Sequence, residues 1–352
     1  MTTLRDIAEA LGISRTSVSN AFNRPDQLSP DLRDQILQKA KALGYQGPNP
    51  VARMLRTGQA GAIGMVFAES LPFAFSDPAA IALLQGVAAE CERRDKTLVL
   101  LPALNVSVAQ AAIRSAAVDG FIIHCMPNDS PLMAVLRERG LPLATVDQQP
   151  VSGIPSVRID DRAGAMVCAE HLLRLGHRRF GIVSMELSLE GAGGWVTERR
   201  FAETRFAGSL ERLLGYRSGL AAAGLSAADI AVYEAEDPSE AAGHRAARAL
   251  LSRPDRPTAL LAMSDRFAIG ALQAAEELGL SVPADVSVVG FDDIPAAAHV
   301  GPGLTTIRQP FFDKGRHVAE MVINPPQEAI STVYPHGLVV RGSTGPAPSR
   351  FP

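Results

Sequence analysis

Between Thr3 and Gly44 the apolar positions recur at helical spacing, and residues that start or stop helices bracket each run. Thr3 followed by Asp6 has the spacing of an N-cap with an acid three residues on, and Leu4, Ile7, Ala8 and Leu11 share one face until Gly12. Only Gly12 and Ile13 precede Ser14, a second N-cap candidate, after which Val18, Ala21 and Phe22 make an apolar face. A third helix opens at Ser29-Pro30, with proline in the tolerated first position, aligns Leu32, Ile36, Leu37, Ala40 and Leu43, and stops at Gly44. Two helices joined by a tight glycine turn and braced by a third form a helix-turn-helix unit.

From Ala62 onward the period changes. Short apolar runs at 62–68, 97–102, 120–125 and 142–147 read as strands, separated by amphipathic helices near 78–94, 107–117 and 131–139. The pattern repeats, with strands at 179–184, 230–235, 258–264 and 286–292 and helices near 162–175, 208–223, 239–252 and 265–278. Buried strands alternating with helices predict parallel sheets covered on both faces, and two such series predict two subdomains. Ligands in open α/β sheets bind beyond the carboxyl ends of the strands, so the cleft between the halves is the expected pocket.

The second helix carries SRTSVSNAFN (14–23), which is crowded with short polar side chains. An ordinary solvated face is richer in Glu, Lys and Gln, because Ser and Thr are mediocre helix formers. A helix lying in the major groove needs short hydroxyl and amide groups that both donate and accept. Downstream, Asn49 and Pro50 are a further cap and first position, but that helix runs only to about Arg56, too short to persist alone. Val51, Ala52 and Leu55 share one face there, which suits a segment that orders on DNA and presses an apolar wedge into the minor groove.

Charge is divided unevenly along the 352 residues. Residues 1–60 hold eight Lys and Arg against five acids, a balance of +3, while the remainder carries −6. A basic head on an acidic body fits a polyanion partner for the head alone. No apolar run approaches a membrane span, and Arg5, Asp6, Glu9, Arg15 and Arg24 interrupt the stretch where a signal peptide needs an apolar core, so a cytoplasmic protein is expected. Cys91, Cys125 and Cys168 lack metal-ligand spacing and read as reduced packing residues; no metal or cofactor is expected.

No catalytic constellation emerges: the chain lacks a dinucleotide loop, a phosphate loop and a nucleophile elbow. His171 and His177 flank a helix end and read as packing groups, and of the adjacent Asp292 and Asp293 only one is expected to face a ligand. Phe73, Phe75 and Trp195, outside the periodic segments, are candidates for an apolar wall.

The D-I-A-x-x-x-G-x-S opening, the SRTSVSNAFN helix, L-G-Y and N-P-V-A-R-x-L together resemble the DNA-binding head of the LacI/GalR family of bacterial transcription regulators. V-R-I-D-D-R-A-G, G-Y-R-S-G-L, S-D-R-F-A-I-G-A-L, V-P-A-D-V-S-V-V-G-F-D-D-I-P and L-T-T-I-R-Q-P resemble the family's effector domain, itself similar to periplasmic sugar-binding proteins. The resemblance implies an all-α helix-turn-helix head (1–46), a hinge (47–60) and an α/β periplasmic-binding-protein-like body of two parallel-sheet subdomains (61–345). It implies that Arg15, Thr16 and Asn20 read operator bases, that Ser14, Ser17 and Ser19 lie near phosphates, and that Asn49, Ala52, Arg53 and Leu55 make the hinge contacts, Leu55 as the wedge. In the body it implies Asp160, Arg212, Ser264, Asp265 and Asp292 as effector contacts, to which the loop position of Phe73 and Phe75, apart from the resemblance, adds a candidate apolar wall. Arg and Asp suit the paired hydroxyls of a sugar. The implied protein is a homodimeric repressor on a palindromic operator, controlled by a sugar-like effector; a soluble receptor or an enzyme on the same scaffold leaves residues 1–58 unexplained. The chain departs from the pattern at Ser17, where Thr is common, at Gly47, an added residue, and at Ser264, where Asn is common. Residues 185–207 are longer than the usual loop, as a lid or partner surface would be.

Overall fold

The computed structural model describes residues 2–45, 47, 54, 57–188, 193–226 and 230–349. It divides into two compact units, residues 1–60 and 61–352. The expected hinge contacts Asn49, Ala52, Arg53 and Leu55 lie outside the described residues.

In the first unit, α1 (Leu4–Leu11) starts in a complete capping box, in which the Thr3 side chain accepts from Asp6 N–H and the Asp6 carboxylate accepts from Thr3 N–H. Gly12, at φ 64°, ends it in the left-handed region where a side chain is strained. Ser14 caps α2 (Arg15–Asn23), accepting from Ser17 N–H at 3.0 Å, and Ser29 caps α3 (Pro30–Ala42). Ile7, Val18 and Ile36, one from each helix, are fully buried and form the centre of the small core. Leu43 departs from expectation: α3 stops one residue earlier, Leu43 is exposed, and Tyr45 reaches the core instead, its ring 5.5 Å from that of Phe22.

The second unit has two lobes. Strands β1 (Ala62–Phe67), β2 (Thr97–Pro102), β3 (Phe121–His124), β4 (Leu143–Val146) and β5 (Ser156–Ile159) belong to a parallel sheet of order β12-β5-β4-β3-β1-β2. Its last member, β12 (Ser331–Tyr334), comes from the far end of the chain and pairs with β5 in parallel. Helices α4 (Leu71–Ala74), α5 (Pro78–Arg93), α6 (Val106–Ser115) and α7 (Pro131–Glu138) alternate with these strands. The chain then crosses into the second lobe through α8 (Asp161–Arg174) and lays down β6 (Phe180–Ser184), β7 (Gly194–Trp195), α9 (Glu198–Ala202), α10 (Ala207–Ala222) and β8 (Ala231–Glu234). There follow α11 (Glu240–Leu251), β9 (Ala259–Ala262), α12 (Asp265–Glu277) and β10 (Ser287–Val289), giving a sheet of order β10-β9-β6-β8-β7 that is parallel except at the β7–β8 edge. Strand β11 (Thr306–Arg308) pairs antiparallel with β13 (Gly337–Val339), and between them the chain returns to the first lobe as α13 (Phe311–Ile323) and β12.

The eight strands expected from apolar runs are present, but strands β5, β7, β11, β12 and β13 and helices α4, α9 and α13 go beyond the expected elements. Helix α13 packs on α5 because glycines on each leave no room for a side chain: a Cβ on Gly86 stands 2.0 Å from the Phe312 carbonyl oxygen, and one on Gly315 stands 2.1 Å from that of Leu83. That close crossing carries Lys314 into the interior at the lobe boundary.

Candidate ligand cleft and nucleic-acid-reading helix

The carboxyl ends of β4 and β5 and the start of α10 enclose a cavity of about 450 Å³. Asp147, Gln148, Arg158, Asp160, Asp161 and Glu211 are among its lining residues. Strand β4 ends at Val146, so Asp147 is the first residue free to face outward, and its positive φ of 55° marks the sharp turn there.

Arg212, on α10, meets the cavity through Asp161, which lines it. Its Nε donates to Asp161 Oδ1 at 2.8 Å, its Nη1 donates to the Met263 carbonyl and lies 3.8 Å from Asp292 Oδ1, and its guanidinium carbon is 3.8 Å from the centroid of Phe291. Burial opposes the charge on Arg212, but Asp161 and Asp292 outweigh it and hold the guanidinium protonated. Burial also raises the Asp292 carboxyl well above the usual carboxylate range, against the pull of Arg212.

A second buried cation faces this group from the first lobe. Lys314 Nζ lies 2.7 and 2.8 Å from the two oxygens of Asp147 and 2.9 Å from Gln309 Oε1. Gln309 in turn donates from Nε2 to Asp292 Oδ1 at 2.7 Å. Asp147, Lys314, Gln309, Asp292, Arg212 and Asp161 therefore form one continuous polar chain from lobe to lobe.

The sequence-predicted residues distribute around this chain. Asp160 lines the cavity and caps α8, accepting from Ala163 N–H at 2.9 Å. Arg212 and Asp292 lie together as described. Ser264 caps α12 through Phe267 N–H. Asp265 is fully buried behind the cleft, accepting from Ile294 N–H at 2.8 Å and from the Thr306 hydroxyl at 2.5 Å. Asp293 turns to Arg308 and Arg341, both at 2.6 Å, so the adjacent acids do diverge. Phe73 packs against the first lobe's core and Phe75 is 67% exposed. Trp195 sits at the sheet edge, its ring 5.1 Å from that of Tyr233. His177 is fully buried between the hydroxyls of Thr258 and Ser287, and His171 lies 2.9 Å from the Thr344 hydroxyl.

Sequence reasoning missed Asp161, Asp147, Gln309 and Lys314. Asp161 had a usable signal: in I-D-D-R the first acid is the helix cap and bonds its own helix, so the second is the one free to pair outward. Lys314 had none, since one lysine on an amphipathic helix reads as a solvated charge.

On α2 the expected base readers Arg15 and Thr16 are exposed. Ser14 and Ser17 hydroxyls lie 2.9 Å apart, Ser19 accepts from Asn23 Nδ2 at 3.2 Å, and Asn20 donates to Gln27 Oε1 at 3.2 Å. These local bonds orient the short polar groups along α2.

A helix-turn-helix unit followed by a two-lobed body with a polar cleft defines a ligand-responsive DNA-binding regulator. Residues 169–344 match the model of the periplasmic binding protein-like domain. The HTH-type transcriptional regulator Rv3575c of Mycobacterium tuberculosis is 39% identical over 99% of this chain and 98% of its own length. Among solved structures, the complex of the transcriptional regulator CelR with cellobiose is 27% identical over 97% of this chain and 100% of that one, with a TM-score of 0.70. The lac repressor dimer bound to operator and the anti-inducer ONPF is 25% identical over 98% of this chain and 99% of that one, with a TM-score of 0.78. The chain belongs to the LacI/GalR family of transcriptional regulators. Among the described residues, no helix is long and apolar enough to cross a membrane.

Proposed function

We propose that the protein is a cytoplasmic, homodimeric repressor that binds a palindromic operator through α2 and releases or tightens it when a sugar or related polyol occupies the cleft. It is a binding protein in this reading, not an enzyme. The observation that carries it is the Arg212 cluster: a stacked guanidinium flanked by the carboxyl groups of Asp161 and Asp292 supplies the donor and acceptor atoms that vicinal hydroxyls require.

Arg15, Thr16 and Asn20 read bases, Ser14, Ser17 and Ser19 approach phosphates, and Asn49, Ala52, Arg53 and Leu55 complete the contact through the hinge, with Leu55 as the wedge. Asp160 lines the cleft beside the Arg212–Asp292 pair, and Ser264 and Asp265 support it from behind through their backbone hydrogen bonds. The exposed apolar side chains of Leu104, before α6, and of Val106 and Val108, in its first turn, support a dimer, because exposed apolar groups are covered more stably by a second copy than by water. Ligand changes the placement of the two lobes, and the difference in operator affinity between the placements is the coupling free energy.

The test is operator selection on the full chain followed by a thermal-shift screen of sugars and polyols. A specific palindrome whose affinity changes with a stabilising polyol is expected. Absence of any sequence preference at low salt overturns the repressor reading, and a preference unaffected by every polyol that raises the melting point overturns the effector reading.

A further inference from the structure

Lys314 is the most deeply buried cation at the cleft, its side chain fully enclosed on α13. An ammonium has three N–H donors. Its surroundings all belong to the protein: the two oxygens of Asp147 at 2.7 and 2.8 Å on one side, Gln309 Oε1 at 2.9 Å, and the Phe311 ring with its centroid 4.5 Å from Nζ, so the ammonium has no exposed side to offer a ligand. The amide of Gln309 is oriented by this contact, and its other end donates to Asp292 at 2.7 Å.

Among the ionisable side chains that line the cavity, carboxylates outnumber guanidinium groups, and the one buried lining donor with no hydrogen-bond partner among the described residues is Arg158 Nε. Asp147, Asp160, Asp161 and Glu211 line it against two cations, Arg158 and Arg162, and Arg162 already lies 2.8 Å from Glu211. Gln148 also lines it, only 4% exposed, and its buried Oε1 has no hydrogen-bond partner among the described residues. Each carboxylate oxygen of Asp147 keeps lone-pair capacity beyond its bond to Lys314.

We propose that Lys314 is a specificity-determining positioning residue: acting through Asp147 and Gln309, it leaves the cleft acceptor-rich, so that the site takes an uncharged polyhydroxyl ligand and refuses its phosphorylated counterpart. The inference rests on the effector reading above. A lysine with free donors is a phosphate binder, and a phosphate here meets an excess of carboxylates with the nearest ammonium already neutralised.

The test is calorimetric titration of the full chain with ribose, glucose, ribose 5-phosphate and glucose 6-phosphate. The parent chain binds at least one neutral sugar about tenfold or more tightly than its phosphate, the order expected for one charged hydrogen bond. Asp147→Asn uncovers the Lys314 charge and lowers that ratio by about tenfold, whereas a purely structural change weakens both ligands alike and leaves the ratio fixed. Asp147→Asn combined with Lys314→Met removes the uncovered charge and restores the preference for the neutral sugar; this pair leaves no unmatched buried charge, and thermal unfolding checks that it folds. A parent chain that binds a phosphate as tightly as its sugar overturns the inference while leaving the effector reading intact, as does an unchanged ratio in Asp147→Asn. Failure of all four compounds to bind overturns the sugar form of the effector reading, and the inference with it.

Discussion

Arg212 Nε donates to Asp161 Oδ1 at 2.8 Å while the face of Phe291 lies 3.8 Å from the guanidinium carbon. The stacked ring excludes water and fixes the plane of the fork, so one side chain joins the start of α8 to the end of the β10 segment. Arg212→Ala leaves Asp161 and Asp292 buried without their cation, and breaking such a pair costs about 3–5 kcal/mol. The expected variant retains operator binding under conditions where it is folded but no longer responds to effector. Urea unfolding gives the stability loss and operator titration with ligand gives the response; a variant that responds with unchanged ligand affinity removes Arg212 from the site.

Gly315 and Gly86 make the crossing of α13 and α5 a backbone-to-backbone contact, with an added Cβ 2.1 Å from the Leu83 oxygen in the first case. Gly315→Ala pushes the helices apart, and overpacking of this kind costs about 1–3 kcal/mol. A melting-point drop of roughly 2–4 °C per kcal/mol follows. Gly337→Ala, where an added Cβ meets nothing within 4 Å, serves as the control. Equal melting points for the two variants contradict the packing account.

Local signals explain what was legible in the sequence. Thr3, Ser14 and Ser29 cap helices where their spacing placed them, because capping depends only on the next three residues. The strands of both lobes were visible as apolar runs because strands covered on both faces lack a polar alternation. What was hidden depends on long-range closure. Strand β12, with Ser331 and Val333 exposed, alternates weakly at a sheet edge, and its partner β5 lies far earlier in the chain. The Lys314–Asp147 pair joins residues 167 positions apart, so no window of sequence reveals that the lysine is buried.

Ser14 both caps α2 and holds the Ser17 hydroxyl at 2.9 Å. Ser14→Ala removes one accepted backbone bond at the helix start, which costs about 1 kcal/mol. Ser14→Asp keeps a cap but places a negative charge at the expected phosphate contact. The two variants separate the roles: thermal unfolding of the head registers the alanine more than the aspartate, whereas operator affinity falls further for the aspartate. If both variants bind operator as the parent does, Ser14 is a cap and nothing more.

Glu186 follows β6 in the second lobe, and its carboxyl is pushed up to about 8, first by burial and then by Glu69, Glu234 and Asp237. Glu69 follows β1 in the first lobe and is itself raised by burial and by Asp77. The folded state therefore keeps a proton on Glu186 that the unfolded chain releases once pH exceeds its ordinary value of 4.5. Because the native state binds more protons in that window, stability falls as pH rises from 4.5 to about 8 and levels off above. Asp265, raised to about 6 chiefly by burial, slopes the same way at lower pH, so the informative quantity is the difference between parent and Glu186→Gln. The glutamine keeps the shape without the titration. Its urea midpoint is expected to gain on the parent's between about pH 5 and pH 8 and to hold a constant lead above that, since the parent alone bears the cost of ionising a buried carboxyl facing other acids. Midpoints that stay parallel across the whole range assign the slope to other groups and place Glu186 in water.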